Sequence, residues 1–372
     1  MRILYFTRDY TPHDHRFLSA LAKTGESITA LRLERRGFQR EDRPLPVEVE
    51  QVLWRGGQKP ARLSDGPALW WDLKRVIRAV RPDVIHAGPI QSASFLTALA
   101  GFRPLVSMSW GSDLLRDADS SAGMRFATQF TLNRTAALVG DCAAVREKAA
   151  SFGFPRERTV LFPWGVDLKQ FSRGDGANRL RARLGWEKQF VLLCSRAWEP
   201  IYGVDVAARA FVLAARENPE LRLILLGNGS QAGKIRQILA EAQEMVYFGG
   251  QVSQTELPEV YRAADLYVSA SHSDGSSVSL LEAMACGLPA LVSDIPGNCE
   301  WVREGQNGWL FADGAVEELA KCMLAASRGS HAERGNQELK EMGAAARRTA
   351  EERADWERNF PRLLEAYEMA RR

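Results

Sequence analysis

The chain has 372 residues, 45% of them apolar and 26% charged, with a net charge of +3. That length exceeds one ordinary α/β core and suits two domains of roughly 150 to 200 residues, while no stretch reaches the roughly 18 apolar residues of a membrane span. The five cysteines are odd in number, widely spaced and without a CxxC pair, which speaks for reduced, mostly buried thiols and against a disulfide framework or a zinc site.

Short apolar runs alternate with longer amphipathic segments from end to end, the pattern of βαβ units that build parallel sheets. The opening MRILYFTRDY has one early Arg and no small-residue cleavage site. It reads as a first strand over residues 3–7 rather than a secretion signal, so the chain is expected in the cytoplasm. His13, Asp14 and His15 follow on a turn that can line a cleft. Side chains alternating at i and i+2, with no third partner nearby, do not make a metal site. A second strand is expected over 27–33, and after it comes a basic cluster, Arg32, Arg35, Arg36, Arg40 and Arg43 around Phe38. Residues 1–165 hold 24 Lys and Arg against 17 Asp and Glu, or +7, and the remainder 25 against 29, or −4. A basic first half can meet anionic lipid at the inner face of a membrane. Strands over 84–87, 105–108, 137–140 and 160–163 complete the first set. His86 lies near the end of its strand, and Trp110, Gly111 and Asp113 of the WGSD turn follow theirs. All four can point at the cleft, with acceptor recognition as their expected task. The DAD triplet over 117–119 falls at a helix start, where acidic residues favour the dipole, and is not expected to hold a metal.

FPWGVDLKQFSRGDGANRL is rich in Gly, Pro and polar residues and marks an interdomain linker near 163–178, with Trp164 inside it. Strands over 190–195, 221–227, 245–248, 266–269 and 290–293 suffice for a second sheet. Ligands of open doubly wound sheets bind beyond the carboxyl ends of the strands, so two such sheets facing each other would place a ligand between them. The clearest signal lies there, in HSDGSSVSLLEAMACGLPALVSDIPGNCEWV over 272–302. Its turn Gly275-Ser276-Ser277 puts the backbone N–H groups up to Val278 at a helix N-terminus, where unpaired donors and the helix dipole attract a diphosphate. Asp274 and Glu282 bracket the turn and can accept from sugar and ribose hydroxyls. The competing interpretation is a capped surface helix, with Asp274 as N-cap and Glu282 solvated. The stretch over 338–372 is a charged helical pattern whose apolar positions, Trp356, Phe360, Leu363, Leu364 and Tyr367, suit it to lean back on the first domain.

The block over 272–302 resembles the C-terminal signature of family 4 retaining glycosyltransferases of the GT-B fold. SRAWEPIYGVD, over 195–205, resembles the loop where that family has an Arg and, six residues on, a Lys gripping the diphosphate; here these positions hold Arg196 and Tyr202. LLGNGS, with Gly227, Asn228 and Gly229, resembles the family's Gly-rich turn. The segment with Gln251 and Val252 resembles its base-contacting segment, and FPWGVDLKQF its hinge. The likeness covers nearly all of 135–310. It implies an α/β, GT-B architecture of two Rossmann-like domains facing across a cleft: an acceptor domain over 1–168, a nucleotide-sugar domain over 169–350, and a C-terminal helix over 351–372 returning to the first domain.

The resemblance also implies retaining, metal-independent transfer of a hexose or N-acetylhexosamine from a nucleotide diphosphate sugar, with UDP favoured. The acceptor it implies is a glycan or lipid-linked glycan of cell-envelope or exopolysaccharide synthesis. The nucleotide sugar is a substrate, so no cofactor is expected, nor is nucleic acid. Asp274 stands where the family usually has Glu, shortening the reach to the donor sugar, and Tyr202 removes one of two cations. Tyr202 can donate its hydroxyl to a phosphate, stack on Trp164, or simply pack. The family's two glycines after the first strand are replaced here by residues 11–16. Its frequent His at the Trp110 position is absent, which argues against a side-chain base, and a departing phosphate oxygen can take the acceptor proton instead. Catalytic weight therefore falls on Arg196 and Asp274, with the amides of Gly275 to Val278. The alternative is a weak or inactive GT-B protein that binds nucleotide sugar or a partner.

Overall fold

A computed structural model describes residues 1–35, 41, 43–174, 179–330 and 333–372, with side chains except over 329–336. The chain forms two compact units, Met1–Phe162 with Phe360–Arg372, and Pro163–Asn359. The first holds β1 (Arg2–Thr7), β2 (Ser27–Arg32), β3 (Val49–Gln51), β4 (Val84–Gly88), β5 (Leu105–Met108), β6 (Thr135–Gly140) and β7 (Thr159–Leu161), in the spatial order β3-β2-β1-β4-β5-β6-β7. The second holds β8 (Phe190–Cys194), β9 (Leu221–Leu226), β10 (Val246–Gly250), β11 (Leu266–Ser269), β12 (Ala290–Ser293) and β13 (Gly308–Phe311), in the order β10-β9-β8-β11-β12-β13. Every pairing is parallel. These are two Rossmann-like sheets, and the strand order reverses between β1 and β4 in one and between β8 and β11 in the other.

Helices cover both faces of the second sheet, which is why its strands read as continuous apolar runs. Val191 and Leu193 of β8 join one core layer, with Leu280, Met284 and Ala346, while Leu192 and Cys194 join the other, with Phe211, Leu319 and Met323. Two strands have no counterpart among the expected ones. β3 is a three-residue edge strand with Glu50 and Gln51 exposed, so it has no apolar run to read. β13 opens on Gly308, where an added Cβ would lie 2.2 Å from the Ala290 carbonyl oxygen, so pairing there selects glycine over a β-former.

The unit boundaries also differ from the expected 168/169 and 350/351, falling at 162/163 and 359/360. Hydrogen bonds explain the shift: the Val166 backbone N–H donates to Ala354 (2.7 Å), that of Trp356 donates to Val166 (3.1 Å), and the Asn359 side-chain amide donates to the Pro163 carbonyl (3.1 Å). The C-terminal pattern is correspondingly not one helix. Glu333–Arg353 ends at this bridge, Asp355 accepts from the Glu357 amide (2.9 Å), and a new helix, Pro361–Arg371, starts on a proline that needs no donor there. Leu363, Ala366 and Tyr367 of that last helix are buried against the first sheet.

Arg36, Arg40 and Phe38 of the basic cluster lie outside the described residues. Of the others, Arg43 pairs with Glu41 (2.6 Å) and Arg32 donates to the Gly57 carbonyl (2.9 Å). Among the described residues no helix is long and apolar enough to cross a membrane.

Candidate functional site

The polar convergence in the second unit sits where its strand order reverses. Arg196 leaves β8 on the second residue past the strand, and Asp274 to Ser277 lie between β11 and the helix Val278–Ala285. One guanidinium nitrogen of Arg196 donates to the Ser277 hydroxyl (2.6 Å) and the Ser279 hydroxyl (2.9 Å), and the other makes an ion pair with Asp274. Arg196 Nε is buried with no hydrogen-bond partner among the described residues. The second oxygen of Asp274 accepts from the Gly275 amide (3.0 Å). Burial opposes the charge on Arg196, and the Asp274 carboxylate together with the fields of Tyr267, Tyr202 and Cys194 outweighs it, so the guanidinium titrates above its ordinary range.

Two glycines let the backbones approach closely enough for this. A Cβ on Gly227, whose φ is +92°, would lie 2.5 Å from the Arg196 carbonyl oxygen. A Cβ on Gly297 would meet the backbone oxygens of Gly275 and Asp274 at 2.4 and 2.5 Å. Ser277 occupies the N-cap of its helix without a side-chain capping bond, its hydroxyl being turned to Arg196. The cap position and the helix dipole are therefore left facing the guanidinium.

Tyr202 lies with its ring 4.2 Å from the Arg196 guanidinium carbon, a cation–π contact. Of the roles open to it, stacking is realised on Arg196; Trp164 is itself buried. Gly227, Asn228 and Gly229 are brought against the same loop: the Asn228 carbonyl accepts from the Trp198 amide (3.0 Å), and the Gly227 amide donates to Gly250 (2.7 Å). Gln251, exposed, and Val252, half-buried, follow Gly250 directly. Glu282 is not solvated. It is buried and accepts from the Tyr261 hydroxyl (2.8 Å), which is also 3.0 Å from the Ser195 hydroxyl.

Sequence reasoning passed over Ser279, Tyr261 and Tyr267. Tyr267 hydrogen-bonds Ser279 (2.8 Å), so a phenol from the middle of β11 helps fix the hydroxyl that fixes Arg196. A tyrosine inside an otherwise apolar central strand was the available signal, because a buried phenol needs a partner.

The candidates of the first unit are mostly engaged in holding it together. Asp14 does not line an open surface. It is buried in a capping box, accepting from the Thr11 amide (2.9 Å) and the Tyr5 hydroxyl (2.9 Å), and burial raises its pKa to about 6. His86 likewise sits buried in mid-sheet, 2.6 Å from the Tyr367 hydroxyl of the last helix, and burial lowers its pKa to about 3. Asp113 is buried too. It accepts from the Ile90 amide (3.0 Å), the Ser109 hydroxyl (2.6 Å) and the Trp110 amide (3.0 Å), tying the loop after β4 to the loop after β5. Gly111 adopts φ +88° in that loop. The half-exposed candidates are His15, 2.6 Å from the Tyr10 hydroxyl, and His13, whose ring lies 5.7 Å from that of Trp110. Asp119 of the DAD triplet pairs with Arg125 (2.6 Å) and Lys148.

Residues 12–165 match the family described as Glycosyl transferase 4-like domain, and residues 177–349 that described as Glycosyl transferases group 1. The chain is 31% identical over 228 residues to the D-inositol 3-phosphate glycosyltransferase of Segniliparus rotundus, covering 58% of this chain and 48% of that one. It is 32% identical over 174 residues to the mannosylfructose-phosphate synthase of Agrobacterium fabrum, covering 44% and 38%. It thus spans half or less of the length of these curated relatives. Among solved structures, HepE of Anabaena in complex with UDP-glucose superposes with a TM-score of 0.79 over 99% of both chains at 20% identity, a likeness of fold.

Proposed function

Because this chain belongs to the glycosyltransferases that set a glycosyl transferase 4-like domain ahead of a group 1 domain, we propose that it moves a hexose or N-acetylhexosamine from a nucleotide diphosphate sugar, with retention at the anomeric carbon. UDP is the favoured nucleotide, in keeping with the UDP-glucose complex of the Anabaena neighbour. The acceptor is a glycan or lipid-linked glycan of a cell-envelope or exopolysaccharide pathway, and the work is done in the cytoplasm or at the inner face of the membrane.

The observation that carries this reading is the junction of Arg196 with Asp274 and Ser277 at the start of the helix Val278–Ala285. A diphosphate there would exchange the Asp274 carboxylate for its own oxygens on the guanidinium, a charge-assisted and bidentate contact. Released from that pair, Asp274 can accept from a sugar hydroxyl. As the bond from the anomeric carbon to the diphosphate breaks, the acceptor oxygen bonds on the same face and its proton passes to the departing phosphate oxygen. Arg196 and the helix dipole hold the charge that develops. His86, Asp14 and Asp113, buried in the first unit, are not assigned to the acceptor; His13, His15 and Trp110 keep that assignment.

The test is to incubate the purified chain with UDP-, GDP- and ADP-sugars and acceptor glycans and to read the anomer by NMR. A retained anomer, formed equally well in EDTA, is expected; an inverted product or loss of activity in EDTA refutes the scheme. The Arg196–Asp274 pair also motivates a second reading, a protein that binds nucleotide sugar without turnover. Donor binding with neither hydrolysis nor transfer would select it.

A further inference from the structure

At the amino ends of β4 to β7, the opposite end of the first sheet from the loops that follow its strands, lies a groove of ≈ 590 Å³ lined by Arg103, Arg134, Arg158, Arg371 and Arg372, with Asp83. Five like charges in one concavity repel one another unless an anion joins them. The carboxylate among them is already engaged, since Asp83 accepts from the Arg2 amide (2.7 Å) and the Arg2 guanidinium (3.3 Å). Arg158 donates to the carbonyls of Ala136 (2.8 Å) and Thr135 and lies over the Phe154 ring (5.4 Å). Arg134 donates to the Phe130 carbonyl (3.3 Å) and stacks at 3.5 Å on that residue's ring. The two are held by neutral groups, with charge left over.

A second observation adjoins the first. Phe130 begins a band of aromatic and aliphatic side chains across three helices, Gly66–Val80, Phe95–Ala100 and Ala122–Leu132. Its ring packs against Phe126 (5.8 Å) and edge-on against Phe95 (5.7 Å). One turn along from Phe95 stands Leu99, whose carbonyl accepts from the Trp70 indole (3.0 Å), and Trp70 packs against Trp71 (5.7 Å). Trp71 is 64% exposed, Phe126 61% and Leu99 41%. Lys74 lies over Trp70 (4.5 Å). Exposed apolar side chains in one band, continuous through Arg134 with a cationic groove, form an amphipathic surface.

We propose that this face of the first unit docks on anionic phospholipid, with Trp71, Leu99 and Phe126 entering the boundary between headgroups and acyl chains and the arginines meeting lipid phosphates. Tryptophan and phenylalanine suit that boundary, and a basic groove alone would serve any phosphate; the adjoining apolar band selects the lipid surface over a free phosphorylated metabolite. The inference does not depend on which sugar is transferred, or on transfer at all.

The test is co-sedimentation of the full chain with phosphatidylcholine vesicles, with and without phosphatidylglycerol. Binding is expected only when phosphatidylglycerol is present, weakening as salt shortens the screening length. Each arginine near the surface contributes about fivefold in partition, so R103E with R134E should reduce binding by roughly 25-fold or more. Trp71→Ser with Phe126→Ser should reduce it at unchanged net charge. Both double variants should keep the thermal midpoint and donor hydrolysis of the parent; if R134E fails to fold, R103E alone, at an exposed position, carries the charge test. Equal binding to neutral vesicles, unchanged binding by either double variant, or tight binding of inorganic pyrophosphate in the groove without vesicle binding would each overturn the proposal.

Discussion

Each sheet reverses its strand order once, and the two reversal points are furnished differently. Past β8 and β11, hydroxyls, a carboxylate and a phenol ring gather on one guanidinium whose Nε has no partner among the described residues. Past β1, and across the loops after β4 and β5, the same kinds of side chain close on one another: Asp14 on Thr11 and Tyr5, and Asp113 on Ile90, Ser109 and Trp110. The difference teaches that a polar residue at the end of a strand declares a ligand only when its hydrogen-bonding capacity is not used up by neighbours within a few residues. A carboxylate three residues into a helix tends to serve the backbone, whereas one paired with a cation across two loops can exchange that partner for a ligand.

The sharpest way to break this contrast is Arg196→Ala. It should lower kcat by about 10²–10³, or 2.7–4 kcal/mol of transition-state stabilisation, in protein that still folds; an unaltered kcat removes Arg196 from the chemistry. Next comes the acid–base behaviour of Asp14. Its folded pKa, about 6, lies above the ordinary carboxyl value of 3.8. The protonated form is thus favoured by folding, and the stabilisation, complete below pH 3.8, is lost as pH rises through 6. Urea titrations should therefore show stability shifting in favour of Asp14→Asn over the parent by up to about 3 kcal/mol between pH 4 and 7; a pH-independent difference would mean that the carboxylate stays charged. His86 runs the other way, because its folded pKa, about 3, lies below 6.5, so its contribution is present above pH 6.5 and lost on acidification.

Smaller still is Tyr367→Phe, which leaves the buried His86 nitrogen without its phenol. It should cost about 1–3 kcal/mol of stability with kcat unchanged, measured by denaturation and by assay. The finest test is Tyr202. Tyr202→Ala should lose about 0.5–2 kcal/mol in kcat/KM and Tyr202→Phe almost none, since the ring face is what Arg196 meets. A phenylalanine as damaging as alanine would give the role to the hydroxyl.

Buried central strands were easy to read because β5, β11 and β12 are mostly apolar and buried along their whole length, a pattern that survives without knowledge of neighbours. β3 and β13 escaped because their pairing depends on what lies beside them, an edge in one case and a close carbonyl in the other. The same distinction runs through the functional candidates. Asp274 was legible from its place beside the Gly275 turn and Arg196 through the family resemblance, and the structure brings them together. The burial of His86 was not, because its partner stands 281 residues away in the chain. The break in the C-terminal pattern was hidden for a related reason: the charged period runs on past Arg353, while the hydrogen bonds that interrupt it come from Val166.

That long sequence interval sets an order of events during synthesis. When the ribosome has made β1 to β7, the sheet of the first unit is complete except for the helix that buries Leu363, Ala366 and Tyr367 against it. The entire second unit must emerge before that helix does. For the interval the nascent first unit carries an uncovered apolar seam and an unpartnered imidazole, so it is consolidated only after the whole second unit has been synthesised.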